Sequence, residues 1–171
     1  MDTILFQRVV AALSPGAIVT NEDNTYEGAV WADSVLRPSA EAFALKAAQI
    51  GKREAITARA GASLSAGFEW NGVLYQIDAQ SQDRIGNRRA FARDCIDGLA
   101  EWSPVYQGWI AADNSRVSFP TPQDFVAFAH AAHAYVTQVV LTSRSYKDAI
   151  AAARSSDKVE ALDVSAGWPE E

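Results

Sequence analysis

Residues 52–91 read KREAITARAGASLSAGFEWNGVLYQIDAQSQDRIGNRRAF, and this stretch decides the fold. At its centre Asn71-Gly72 separates two short runs rich in aromatic and β-branched residues. Asn-Gly is the favoured two-residue hairpin turn because both central positions need positive φ. Phe68 and Trp70 share one strand face, and Val73, Tyr75 and Ile77 share a face of the return strand, by the period of two. A ribbon this short is marginal in water, so it must lie on a helix or on a neighbouring chain. Ahead of it, a segment dominated by Ala, Leu, Lys, Arg and Glu predicts a helix from Ala40 to about Leu64. Gly51 costs that helix about 1 kcal/mol relative to Ala and marks a bend or a join. Behind the hairpin, Ser81 is expected to cap a helix running to about Ala100, with Asp83 in its first turn.

Working outward, residues from about 2 to 13 are mostly apolar with Gln7 and Arg8 inserted and fit a short helix or a strand; Ser14-Pro15-Gly16 stops them. AIVT and YEGAVW flank Asn21-Glu22-Asp23-Asn24, whose side chains suit a hairpin tip. Arg37-Pro38-Ser39 punctuates the next boundary. Proline disfavours helix at Arg37, Ser39 is a good N-cap, and Glu41 falls in the first turn where the helix dipole favours a carboxylate. Downstream, residues 106–119 predict another hairpin, with Asp113-Asn114-Ser115 as its tip. Thr121-Pro122 then opens the longest helix, to about Arg154, with Thr as N-cap and Pro at the first helical position. Its stripe Phe125, Phe128, Ala132, Tyr135, Val139, Thr142, Tyr146, Ala149 alternates steps of three and four. Val126, Ala129, Val136, Val140 and Ile150 widen that face, which favours intramolecular packing over a self-associating seam. Ser156 or Asp157 caps a final short helix. The expected class is α+β, helix-predominant, with long helices and short antiparallel β-hairpins, divided into a small N-terminal β/hairpin segment (1–38) and a helical α+β domain (39–171).

Composition narrows the function. The chain has 171 residues, is 49% hydrophobic and 21% charged, and carries a net charge of -6. That is the profile of a globular domain. An acidic balance disfavours phosphate-rich partners, so neither a nucleic acid nor an anionic membrane is expected. The start, MDTILFQRVVAALSPGA, lacks the basic opening and clean apolar stretch of a signal peptide, and no segment is expected to reach membrane-spanning length. The single cysteine, Cys95, excludes an internal disulfide and a cysteine-based zinc framework.

Few side chains suggest chemistry. His130 and His133 lie one helical turn apart, on the wetter face opposite the stripe. A structural zinc site needs four ligands and a catalytic one usually three, so they read as solvated or packed histidines, with an inter-chain metal site on a threefold axis as the alternative. Arg84, Arg88, Arg89 and Arg93 recur at helical spacing, diluted by Asp83, Asp94 and Asp97; an acidic protein surface is the partner they would suit best. Glu69, Asp78 and Asp83 fit turn and capping roles more simply than an acid/base pair. No nucleophile elbow, P-loop or dinucleotide fingerprint occurs. Neither a cofactor nor a bound metal is expected. Trp168, beside Gly167 and Pro169, either docks on the body or is presented to a partner.

The stretch GFEWNGVLYQIDAQSQDRI, preceded by KREAITAR, resembles an uncharacterised family of small tail-associated proteins of tailed bacteriophages and prophages. That family pairs an arginine-bearing helix with a Gly-aromatic, Asn-Gly hairpin, an aspartate and a Ser-x-x-Arg helix start. The matching positions are Arg53, Arg59, Gly67, Phe68, Gly72, Tyr75, Asp78, Ser81 and Arg84, then Trp109, Asp113 and Asn114, then Lys147, Asp148, Ile150, Asp163 and Gly167-Trp168-Pro169. YEGAVWADSVLRPSAEAF is similar, more loosely, to a leader of small tail-assembly proteins. The resemblance carries no catalytic residues. It implies a non-enzymatic component of the tail tip, baseplate or tail-fibre attachment, assembled in the host cytoplasm and located in the virion tail. Such a protein works by contacts with fibre or baseplate proteins, in threefold or sixfold copies, or as an assembly chaperone that does not stay in the virion. A glycan hydrolase is the least supported class. The residues expected to touch a partner are Trp70, Tyr75 and Trp168 as aromatic anchors, with Arg84 and Arg88 as polar rim.

Overall fold

A computed structural model describes residues 1–21, 23–32 and 37–169. Glu22, in the first hairpin tip, and residues 33–36 of the loosely matching leader lie outside the described residues. In chain order the elements are α1 (Thr3–Leu13), β1 (Val19–Thr20), β2 (Val30–Trp31), α2 (Ala40–Ala66), β3 (Phe68–Trp70), β4 (Val73–Tyr75), α3 (Ala79–Ile96), α4 (Pro104–Gln107), β5 (Gly108–Ile110), β6 (Arg116–Ser118), α5 (Pro122–Ala152) and α6 (Ser156–Glu160). Among the described residues the strands pair as β1–β2, β3–β4 and β5–β6, all antiparallel. The fold is therefore α+β and helix-predominant, with long helices and short hairpins.

The chain forms two compact units. One comprises Met1–Ala58 with Arg144–Ala166; the other comprises Arg59–Ser143 and the chain from Gly167 onward. These units cut across the 1–38 and 39–171 division read from the sequence, and the packing gives the reason. The N-terminal segment is too short to enclose a core of its own. Phe6, Val9 and Val10 of α1 and Ala29 beside β2 instead pack with Phe43 of α2, and Ala47 and Ile50 extend the same cluster. Asp2 caps α1 by accepting from the Leu5 N–H at 2.7 Å, which settles the helix-or-strand ambiguity. Within this unit the Gln49 side chain donates to the carbonyl of Ile150 at 3.2 Å, and Lys52 Nζ to that of Glu160 at 3.1 Å. These bonds occupy backbone acceptors near helix C-termini that lack intrahelical partners.

In the second unit the hairpin has the expected register, Phe68 opposite Tyr75 and Trp70 opposite Val73. Asn71 and Gly72 take φ of 53° and 75°, the signature of the primed turn. The inward face of the hairpin meets Ile85, Ala111, Phe119, Phe125 and Phe128 in one core. β5–β6 closes over the other end of that core, with Trp109 opposite Val117. The two hairpins are tied by the Ala112 N–H donating to the Leu74 carbonyl at 2.9 Å.

Several boundaries differ from expectation. Gly51 does not interrupt α2. α3 is capped by Asp78, not Ser81, and ends at Ile96 because Gly98 turns the chain at φ 75°. A short helical turn precedes β5 where only a hairpin strand was expected. Thr121 and Asp124 form a reciprocal cap at the start of α5: the Asp124 N–H donates to Thr121 Oγ1 at 3.2 Å, and the Thr121 N–H to Asp124 Oδ2 at 3.1 Å. Ser155 caps α6. α5 also amends the expectation of no membrane-length segment, since its length and composition alone would let it cross one. Phe125, Phe128 and Val139 on its stripe are fully buried within the protein.

Candidate functional site

The site is built on α3. Asp78 at its N-cap accepts from the Ser81 N–H and the Ser81 hydroxyl, both at 3.0 Å. These donors, the backbone one foremost, hold its carboxyl below the usual aspartate range. Gln82 adds a bond to the Ile77 carbonyl at 2.8 Å. With the first turn fixed in this way, α3 buries Ser81, Ile85 and Ala92 on one face. Another face projects Arg84 and Arg88, four residues apart and therefore neighbours on the helix surface.

Arg88 is half-buried. Its guanidinium donates to the Tyr106 carbonyl at 2.6 Å and lies 5.7 Å from the Tyr106 ring, 5.6 Å from Trp109 and 5.9 Å from Phe125. Each contact falls within the range of cation–π attraction. Arg84 is exposed, and among the described residues it makes no ion pair or hydrogen bond. Two shallow clefts open beside the pair. One, of about 390 Å³, runs between Gln76, Trp109, Ile110 and Asn114. The other, of about 350 Å³, is walled by Asn87, Phe91, Tyr106 and Trp109. Ile110, in the first of these, is 56% exposed. The arrangement is a cationic, aromatic and aliphatic face with no carboxylate among its lining residues. It can hold a partner surface that brings acidic and apolar groups.

The structure brings Arg84 and Arg88 together, as the spacing required. None of the three aromatic residues assigned to the same contact lines the clefts beside that pair. Tyr75 is fully buried, packed at 4.6 Å ring separation on Phe128; the period of two turns it inward with Phe68, so it offers no surface to a partner. Trp168 is 9% exposed and docks within its own unit under Arg59, whose guanidinium lies 5.1 Å from the ring. Trp70 is half-buried, stacked on Phe119 at 5.8 Å and edge-on to Phe128 at 5.5 Å. The expectation of Tyr75 as a partner contact is thus corrected, and of the two readings of Trp168 the structure shows the docked one. Tyr106, Trp109 and Ile110 line the face instead. No local pattern joins them to Arg84 and Arg88, because they arrive from α4 and β5.

The remaining candidates are scattered. His130 and His133 are both exposed, and among the described residues no group of three or more His, Cys, Asp or Glu side chains is placed to hold a metal. Burial, then the charges of Asp94 and Glu101, push the Cys95 thiol up, away from the reactive thiolate. Glu69, Asp78 and Asp83 are exposed.

No curated protein matches the chain, and no solved structure matches it. A protein-family pattern does match, over residues 44–166, which takes in α3, both neighbouring hairpins and the whole of the Arg84–Arg88 face. The chain belongs to the family described as Domain of unknown function (DUF4376).

Proposed function

We propose that this protein is a non-enzymatic component of a phage tail, acting through protein–protein contacts at the tail tip, baseplate or fibre attachment. The resemblance of residues 52–169 to small tail-associated proteins supplies the setting. The observation that carries a contact role is the Arg84–Arg88 face. Arg84 there is a cation without a counter-ion among the described residues, set beside exposed Ile110 and Tyr106. Exposed apolar side chains rimmed by arginine are the composition of protein interfaces.

The test is a protein census of purified virions together with affinity capture of tail-fibre and baseplate proteins. A stoichiometric virion component whose capture is lost in Arg84→Glu/Ile110→Asp, with the melting temperature retained, supports the reading. Capture of a fibre protein by a chain that is absent from the virion would move it to the assembly chaperone. Absence from virions together with no capture would overturn both.

A further inference from the structure

A larger cleft lies elsewhere, inside the unit formed by residues 1–58 and 144–166, and its volume is about 620 Å³. α2 supplies one wall. Lys46, Gln49, Ile50, Arg53, Glu54 and Thr57 recur in steps of three and one, so they lie along a single helical face. α1 contributes Arg8, Ala11 and Ala12, and α5 contributes Lys147. The charges are lopsided. Four cations line the cleft against one carboxylate, Glu54, and Arg8 pairs with it. Among the described residues Lys46, Arg53 and Lys147 have no carboxylate within ion-pair reach. Lys46 and Lys147 are moreover half-buried, so they are partly desolvated without a compensating charge. In a chain of net charge -6, three uncompensated cations around one cleft are not an average surface. Ala11, Ala12 and Ile50 give it small, apolar lining that leaves room for a ligand.

We propose that this cleft binds a compact polyanion, a small molecule carrying two or more phosphate or carboxylate groups. The volume falls within the range of small-ligand sites, about 300–1,000 Å³. Arg53 offers the planar fork that grips paired anionic oxygens, and the lysines act as adaptable point charges. An extended nucleic acid is disfavoured, because it would also meet the acidic remainder of the chain. The site does not rest on the tail-protein reading.

Titration calorimetry of the full chain with tripolyphosphate and, separately, with citrate tests it. Binding of either at a single site is expected, weakening as salt rises. Response to tripolyphosphate alone assigns a phosphorylated ligand, and response to citrate alone a polycarboxylate. Lys46→Met/Lys147→Met keeps the aliphatic stems and should weaken binding by about tenfold or more. Glu54→Gln should strengthen it, and Arg84→Ala, in the other unit, should leave it unchanged. Circular dichroism melts establish that each variant is folded. No heat with either anion at millimolar concentration would overturn the proposal, as would binding indifferent to the lysine pair, or binding of only a long acidic polypeptide.

Discussion

The guanidinium of Arg59 lies 5.1 Å from the centre of the Trp168 indole, holding the last tryptophan of the chain against its own unit. The Gly167 carbonyl beside it accepts from Thr142 Oγ1 at 2.8 Å, and Gly167 itself takes φ of 74°, a conformation glycine adopts without steric cost. Because Trp168 is only 9% exposed, Trp168→Ala removes a large buried ring and is expected to cost about 3 kcal/mol. Arg59→Ala removes the cation over the ring and should cost at least about 0.5–1 kcal/mol. Urea unfolding monitored by circular dichroism measures both. A Trp168→Ala variant as stable as the parent would mean that the ring is presented, not docked.

Tyr75 carries the second prediction. Its ring is fully buried, and its hydroxyl has no hydrogen-bond partner among the described residues. An unsatisfied buried hydroxyl costs stability that phenylalanine would not. Tyr75→Phe is expected to be neutral or stabilising by about 1 kcal/mol, whereas Tyr75→Ala should cost about 3–5 kcal/mol. Burial also raises the phenol above the ordinary tyrosine value of 10.0. The folded state therefore keeps a proton that the unfolded chain releases. The parent should lose stability as pH climbs above 10 toward the higher folded value, and Tyr75→Phe should lose less over that window. Matching alkaline profiles would remove the assigned cause.

How much of this was legible beforehand depends on the range of each interaction. The β3–β4 turn was readable because Asn71-Gly72 is a two-residue device whose chemistry is complete in the sequence. The α3 cap was readable only to within three residues, because Asp78 and Ser81 are both cap formers and the sequence does not say which oxygen takes the N–H. The Arg84–Arg88 pairing followed from helical spacing. The walls around it, Tyr106 and Trp109, come from 18 and more residues away, and the cleft at Lys46 includes Lys147 from α5. Such juxtapositions depend on how helices pack, which no local period encodes. The same reason explains Tyr75: aromatic content marks interfaces and cores alike, and only packing against Phe128 decides between them.

Asp78 supplies an acid-side counterpart to Tyr75. The Ser81 N–H and hydroxyl hold its carboxyl below the ordinary value of 3.8. The cap's contribution is therefore fully present above that value and is lost as pH falls through the lower folded value. Asp78→Ala should lower the melting temperature by about 2–4 °C at neutral pH. Asp78→Asn keeps a capping oxygen, so it should retain most of the neutral-pH stability while losing this acid dependence. Melting curves from pH 2 to pH 7 separate the three proteins.

Gly67 joins α2 to β3 with φ of 95°, and a Cβ there would stand 2.5 Å from the Tyr75 carbonyl oxygen. The obstacle is backbone, which cannot swing aside as a side-chain tip would. Gly67→Ala is expected to cost about 2 kcal/mol or more, from the strained φ and the clash together. Gly72, also at positive φ, meets nothing within 4 Å, so Gly72→Ala carries only the conformational part and should be the milder of the two. Denaturation midpoints measure the difference, and equal losses would show that the clash contributes nothing.

Arg88 and Arg84 share a face but should separate under mutation. Arg88 is held by the Tyr106 carbonyl and three rings, so it ties α3 to the α4–β5 segment as well as lining the proposed contact face. Arg88→Ala should destabilise the fold by about 1–2 kcal/mol. Arg88→Lys should recover only part of that, because an ammonium lacks the planar fork that stacks and donates at once. Arg84 has no such ties, and Arg84→Ala should fall within about 0.5 kcal/mol of the parent. A loss of partner capture in Arg84→Ala would therefore report contact alone, while the same loss in Arg88→Ala is interpretable only against its stability. If Arg84→Ala proved as destabilising as Arg88→Ala, the division of labour between the two arginines would fail.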